Sequence, residues 1–230
     1  MFDSIAPGYD AFNHITSLGA DRSWRRKALR EIHGPEVLDE ACGTGDFSIA
    51  IARHLARSSK TPWHVSGVDI SEGMLEVMRK KVAGAGLEGA VSATAGDCCA
   101  LGFPDSSFDT VTVAFGMRNF EDREKALAEA LRVLRPGGRF VMLELGIPHN
   151  RILAWGFKLY FTRIMPSVGG RISGNKAAYR YLPASVMAFP EPKEWAATMR
   201  KAGFAEVRHR TLSLGICNLF AGTKQFLNPA

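Results

Sequence analysis

Residues 37–46 read Val-Leu-Asp-Glu-Ala-Cys-Gly-Thr-Gly-Asp, a short apolar run that breaks at two glycines before helix-forming residues begin. Glycine lets the backbone turn tightly and approach a ligand closely. A second apolar run, from His64 to Ile70, ends on a carboxylate at Asp69, 24 residues after Gly45. A strand, a glycine turn, a helix and a second strand closing on an acid form the first half of an open parallel sheet. Its ligand edge suits a ribose-bearing cofactor.

The glycine pattern bears on which cofactor that is. A dinucleotide fingerprint requires Gly-x-Gly-x-x-Gly, whereas Gly43-Thr44-Gly45-Asp46-Phe47-Ser48 lacks the third glycine. Asp46 also places a negative charge where a pyrophosphate would meet a helix N-terminus. The run follows instead the Asp/Glu-x-x-x-Gly-x-Gly form of S-adenosylmethionine-dependent methyltransferases, whose cofactor carries a sulfonium and an amino-acid tail but no phosphate. On this motif alone a nucleotide cofactor, or a turn with only packing duties, stays open.

Alternation of strand and helix patterns continues from residue 36 to 145, which predicts a parallel sheet covered on both faces. Val37–Ala41 is the first strand, and Phe47, Ile51 and Leu55 mark the buried stripe of the helix after it. Ser71 caps a helix carrying Met74, Leu75, Met78 and Val82. Val91–Ala95 and the almost wholly apolar Asp109–Phe115 follow as strands. Asp122 caps the next helix, Pro136-Gly137-Gly138 stops it, and Arg139–Leu145 is a fifth strand. The aromatic, basic stretch 150–190 breaks the rhythm and reads as a helical insertion. A helix from Pro192 and strands over Glu206–Leu212 and Ile216–Thr223 restore it.

A chain of 230 residues, 46% hydrophobic and 23% charged, fits one globular domain with an insertion. Cys42, Cys98, Cys99 and Cys217 have neither zinc nor Cys-x-x-Cys spacing, so reduced thiols and no metal are expected. The first residues lack a basic segment followed by an apolar core, and a cytoplasmic location is expected. The net charge of +6 fits either nucleic acid or an anionic membrane. Its distribution is informative, because Arg151, Lys158, Arg163, Arg171, Lys176 and Arg180 fall in a stretch with no acid. Within it, Ile152–Ile164 is far shorter than the ~20 residues that span a bilayer, but its aromatics suit the interface plane.

Further motifs resemble one family. They are Phe103-Pro-Asp-Ser-Ser-Phe-Asp109, Phe115-Gly-Met-Arg-Asn-Phe120, Lys125-Ala-Leu-Ala-Glu-Ala, Arg132-Val-Leu-Arg-Pro-Gly-Gly138 and Tyr179-Arg-Tyr-Leu182. Phe2-x-x-Ile-Ala-x-x-Tyr9-Asp10, Asn13 and Trp24-Arg25 belong with them. Together they are similar to the ubiquinone/menaquinone biosynthesis C-methyltransferases, over nearly the whole chain. The resemblance implies an α/β class I methyltransferase fold with a seven-stranded, mostly parallel sheet. Residues 1–34 would form an N-terminal helical lid and 150–190 a substrate lid. It also implies methylation of a ring carbon on a prenylated quinol, demethylmenaquinol ahead of a benzoquinol of ubiquinone synthesis. A non-catalytic subunit that senses the cofactor is the alternative of another class. Cys42, Ala114 and Asn175-Lys-Ala-Ala178 depart from the family pattern.

On this reading Gly43, Thr44, Gly45, Asp69, Asp97, Cys98 and Ala114 hold S-adenosylmethionine. Asp69 meets the ribose, and Asp97 with Cys98 meets the adenine. Arg118, Asn119 and Tyr9 are the expected catalytic set, with Arg118 stabilising a quinolate. The expected partners are the quinol, a membrane surface and a second copy in a homodimer. Nucleic acid is not expected, since Phe115-Gly-Met-Arg-Asn stands where amino-directed nucleic-acid methyltransferases carry a Pro-Pro element.

Overall fold

Strands of five to twelve residues pair into one sheet, and helices with one apolar stripe cover both of its faces. The computed structural model describes residues 6, 8–160, 162 and 176–226, with backbone alone at Phe12, Ile15 and 176–180. Tyr179 and Arg180 are therefore outside the described side chains, and Phe2, Arg163 and Arg171 are outside the described residues.

In chain order the elements are α1 (Tyr9–Thr16), α2 (Ala20–Ala28), β1 (Glu36–Glu40), α3 (Asp46–Ser58), β2 (His64–Asp69), α4 (Glu72–Gly84), β3 (Val91–Ala95) and β4 (Phe108–Ala114). They continue as α5 (Arg123–Val133), β5 (Leu134–Leu145), α6 (Arg151–Leu159), α7 (Lys176–Met187), α8 (Pro192–Lys201), β6 (Phe204–Leu212) and β7 (Cys217–Lys224). The seven strands lie in the order β3-β2-β1-β4-β5-β7-β6. Only β7 runs against its neighbours β5 and β6. The predicted sheet, parallel except for one strand, is what forms.

One face of the sheet (Val37, Val65, Val141, Leu219) packs on Trp24, Ile51, Leu75 and Met78 from α2, α3 and α4. The other (Leu38, Val111, Phe140, Phe220) packs on Leu127, Ala130, Trp195 and Met199 from α5 and α8. Each large side chain so buried stabilises the fold by about 1.5–3 kcal/mol. The predicted caps are present: Ser71 Oγ accepts from Met74 N–H at 3.3 Å, and Asp122 Oδ1 accepts from Lys125 N–H at 2.9 Å. Strand β5 begins five residues before the expected Arg139. Its Pro-Gly-Gly run is absorbed where the β4 register shifts between Phe108 and Thr110, with Gly137 at φ 77°.

Two helical covers sit above the strand ends. In α2, Trp24 is buried and its indole N–H donates to Ser213 Oγ at 2.8 Å, tying the N-terminal helices to the β6–β7 turn. Helix α6 is capped by Asn150 and has no buried residue. Beyond its end, Tyr160 O–H donates to the carbonyl of Thr16 at 3.2 Å, so the two covers touch. Among the described residues no helix is long and apolar enough to cross a membrane.

Candidate active site

The connections from β1 to β2 and from β4 to β5 run outward in opposite directions, which opens a crevice at the carboxyl ends of β1 and β4. A cleft of about 520 Å³ occupies it. Gly43 and Thr44 from the turn after β1 line it, with Asp69 at the end of β2, Asp97 and Cys98 after β3, and Ala114 after β4. Tyr9 and Asn119 line it as well. Gly45 does not. It is the N-cap of α3 at φ 81°, and a Cβ there would lie 2.5 Å from Met78 Cγ, so this glycine lets α3 and α4 pack.

The strand ends are held in unusual backbone shapes. Ala41 and Phe115, which both line the cleft, have φ of 49° and 63°. Left-handed non-glycine residues cost about 1–3 kcal/mol each, and they persist where surrounding structure fixes them. Gly116 allows the approach, since a Cβ on it would fall 2.5 Å from Ala41 Cβ. The carboxylate of Asp69 braces the turn, accepting from Gly43 N–H at 2.8 Å and from Ser71 N–H at 2.9 Å.

Acids dominate the walls. Asp39 opens the Asp-x-x-x-Gly-x-Gly motif, yet its side chain was not among the expected binding residues. It is buried, accepting from Ser48 Oγ at 2.5 Å and from Thr112 Oγ1 at 2.7 Å. Burial pushes its carboxyl up to about 6 against the pull of those two hydrogen bonds. Asp10, Asp46 and Asp97 also face the cleft, while Arg25 and Lys125 supply cations. Thr44 Oγ1 donates to Asp10, and Lys81 Nζ lies 2.6 Å from Asp10 and 2.5 Å from Asp46, clamping α1 over the glycine turn. Burial raises the Cys98 thiol far above its ordinary range, so it stays neutral.

A second pocket, of about 460 Å³ and mostly apolar, adjoins the first. The two share Tyr9, Asn13, Arg25 and Phe115. Its outer rim carries Leu18, Ile152 and Leu214, which are 92%, 79% and 72% exposed. Arg118 lines this pocket rather than the cleft. Its Nη1 lies 2.7 Å from Glu144 Oε1 and also donates to the Phe115 carbonyl, while its backbone N–H donates to Glu144 Oε2 at 3.0 Å. Arg118 therefore shares its charge with a buried carboxylate, a partner 26 residues away that no local pattern marks. Tyr181 is on the surface and lines neither pocket.

A sheet with a single antiparallel strand and a ligand cleft at the β1–β4 switch is the fold of class I S-adenosylmethionine-dependent methyltransferases. A Thermotoga maritima S-adenosylmethionine-dependent methyltransferase superposes with a TM-score of 0.67 at 20% identity, over 97% of this chain and 98% of that one. Haemonchus contortus phosphoethanolamine N-methyltransferase 2, solved in complex with S-adenosylmethionine, gives 0.63 at 16% identity, over 88% of this chain and 52% of that one. At such identities the likeness is one of fold.

The model of the ubiE/COQ5 methyltransferase family matches residues 1–224, and the chain belongs to that family. A demethylmenaquinone methyltransferase of Bacteroides fragilis is 44% identical over 227 residues, covering 97% of this chain and 91% of the relative. One from Deinococcus radiodurans is 45% identical over 228 residues, covering 98% and 91%. A ubiquinone/menaquinone biosynthesis C-methyltransferase of Geobacter sulfurreducens is 45% identical over 229 residues, covering 97% and 87%.

The chain is an S-adenosylmethionine-dependent methyltransferase, and its cleft fits that cofactor. Gly43 is left-handed at φ 54° with open space where a Cβ would stand, leaving the backbone bare to a ligand. The surplus of carboxylates suits a sulfonium and an ammonium and would repel a pyrophosphate.

Proposed function

We propose that this protein methylates a ring carbon of a prenylated quinol, converting demethylmenaquinol to menaquinol. The observation that carries the reading is the apolar pocket opening directly off the cofactor cleft, large enough for a bicyclic ring and the start of an isoprenoid tail. The named relatives support the same class of substrate, and a benzoquinol intermediate of ubiquinone synthesis is the second reading.

S-adenosylmethionine supplies an electrophilic methyl group when bound. The protein's task is to hold a ring carbon in line with that methyl and raise its electron density. Alignment of this kind is worth several kcal/mol of barrier. We assign Asp69 to the ribose hydroxyls, Asp97 with Cys98 to the adenine edge, Gly43 and Thr44 to the amino-acid end, and Ala114 to the floor. Tyr9 stands at the junction and Asn119 on the cleft side of it, and we assign both to orienting the ring oxygen. Arg118, with Glu144 drawing on its charge, holds the turn after β4 and gives a quinolate less support than a lone guanidinium would. The segments 1–34 and 150–190 act as covers, since α1, α2, α6 and α7 all reach the apolar pocket.

The exposed leucines and isoleucine at the rim come from three separate segments. With Arg151 and Lys158 on α6, they suit an anionic bilayer from which a tailed quinol enters. The test is methyl transfer from labelled S-adenosylmethionine to short-tailed demethylmenaquinol and to a demethylated benzoquinol in parallel. Product from the naphthoquinol is expected. No product from either, with cofactor binding intact, overturns the reading.

A further inference from the structure

Carbon methylation of a quinol releases one proton per turnover, here inside a pocket with mostly apolar walls. Among the described residues lining that pocket, Asp21 is the one carboxylate. An arginine has no lone pair free to accept a proton, and the neutral phenol of a tyrosine is a proton donor like the quinol itself. Asp21 is 3% exposed. Its carboxylate accepts from Ser17 Oγ at 2.8 Å, pairs with Arg25 Nη1, and lies 2.7 Å from His14 Nδ1. Arg25 is one of the four residues shared with the cofactor cleft, and its guanidinium sits 5.5 Å from the centroid of the Phe115 ring. Its Nε is buried with no hydrogen-bond partner among the described residues.

We propose that Asp21 is the proton acceptor of the reaction and that Arg25 is the cation that receives the resulting quinolate. The proposal rests on the quinol reading and adds the acid–base pair to it. The quinol O–H proton moves to Asp21, and Arg25 exchanges the neutralised carboxyl for the quinolate oxygen. The net charge of the buried site is unchanged by this step, which avoids the cost of creating a new charge in a low-dielectric pocket. The ring carbon then bonds to the methyl group as the donor's carbon–sulfur bond breaks and the sulfonium charge is lost. That carbon sheds its hydrogen as a proton while the ring oxygen regains one, so a single proton is left over. It leaves Asp21 for solvent on product release.

The groups facing Asp21 set its basicity. Burial pushes its carboxyl up, but Ser17, Arg25 and His14 more than offset this and hold it below the usual range. When Arg25 turns to the quinolate that restraint weakens, and Asp21 becomes the better base at the moment a base is needed. His14 keeps the carboxylate in place from the far side, and its Nε2 lies 3.5 Å from Asp46 Oδ2. His14, Asp21 and Asp46 lie close enough together to hold a cation. Arg25 and Lys81 already supply the positive charge there, so the trio serves protons rather than a metal.

The test compares Asp21→Asn and the gentler His14→Gln with the unmodified protein, on demethylmenaquinol and on a ring-halogenated quinol whose hydroxyl ionises more readily. Asp21→Asn should lower turnover about 100-fold on the first quinol, the usual scale for a general base, and much less on the second. His14→Gln should show the same contrast at about tenfold. An independent reading needs no turnover: a hydroxynaphthalene bound to the cofactor-free protein should ionise, by absorbance, at a lower pH than it does with Arg25→Ala. Equal losses on both quinols, unchanged turnover, or an ionisation that ignores Arg25 would overturn the assignment while the quinol reading stands. Absence of turnover in the unmodified protein would overturn both.

Discussion

Replacing Glu40 by leucine should stabilise this protein, and by more as the pH rises. Glu40 lies on β1 on the same face as Leu38, fully buried, with neither carboxyl oxygen hydrogen-bonded among the described residues. Burial, reinforced by the nearby charges of Asp39 and Glu129, pushes its carboxyl well above the ordinary range. The folded chain keeps that proton at pH values where the unfolded chain has lost it. A group raised in this way favours the fold fully below its unfolded pKa of ~4.3, and the benefit disappears as pH climbs towards the folded value, by about 1.4 kcal/mol per unit. Leucine removes both the titration and two unsatisfied oxygens. The latter alone are worth about 1–3 kcal/mol near neutrality. For a chain of this size each kcal/mol moves the melting temperature by about 2–4 °C. Thermal unfolding at pH 5, 6.5 and 8 should give a Glu40→Leu gain that widens with pH, while Glu40→Gln abolishes the pH dependence but gains less. A gap independent of pH, or a less stable leucine variant, would refute the reasoning.

Asp69→Ala should weaken S-adenosylmethionine binding by one to two decades in calorimetry, since hydrogen bonds to a charged group are worth about 1.5–3 kcal/mol; equal affinity would remove the ribose assignment. Because Asp39 ionises near pH 6 and lines a cleft for a cationic ligand, cofactor affinity should rise between pH 5 and 7.5; Asp39→Asn should flatten that rise. Arg118→Ala takes the cation from buried Glu144, leaving it only the backbone N–H donors of residue 118 and Leu145, and should cost up to about 3–5 kcal/mol in denaturant unfolding. Adding Glu144→Gln should recover much of it, and a variant as stable as the parent would show the pair contributes little. Leu18→Asp combined with Leu214→Asp should reduce co-sedimentation with anionic vesicles, and unchanged sedimentation would exclude this rim as the membrane face.

The strands, their order along the chain and the glycine turn were legible in the sequence because each is a local matter. Alternating or continuous apolar runs must be buried, Ser71 and Asp122 cap the helices they precede, and Gly43 leaves the backbone open wherever the fold places it. Asp69 and Asp97 could be set at strand ends for the same reason. Tertiary structure alone decided what meets across the chain. The apolar pocket draws on residues 9–25, 115–118, 145–160, 182 and 213–216, and no periodicity records that these segments converge. Likewise, the sequence marks Arg118 as a candidate catalytic group but not that Glu144, on the next strand, shares its charge, and it marks Gly45 as part of a ligand motif but not that Met78 packs against it. Asp21 reads as an ordinary helix residue, and His14 as a lone histidine either structural or able to shuttle a proton, until α1 and α2 bring the two together at the cleft. A sequence pattern fixes which face of an element avoids water, but the charge a buried group carries depends on neighbours that only the folded chain brings within a few ångströms.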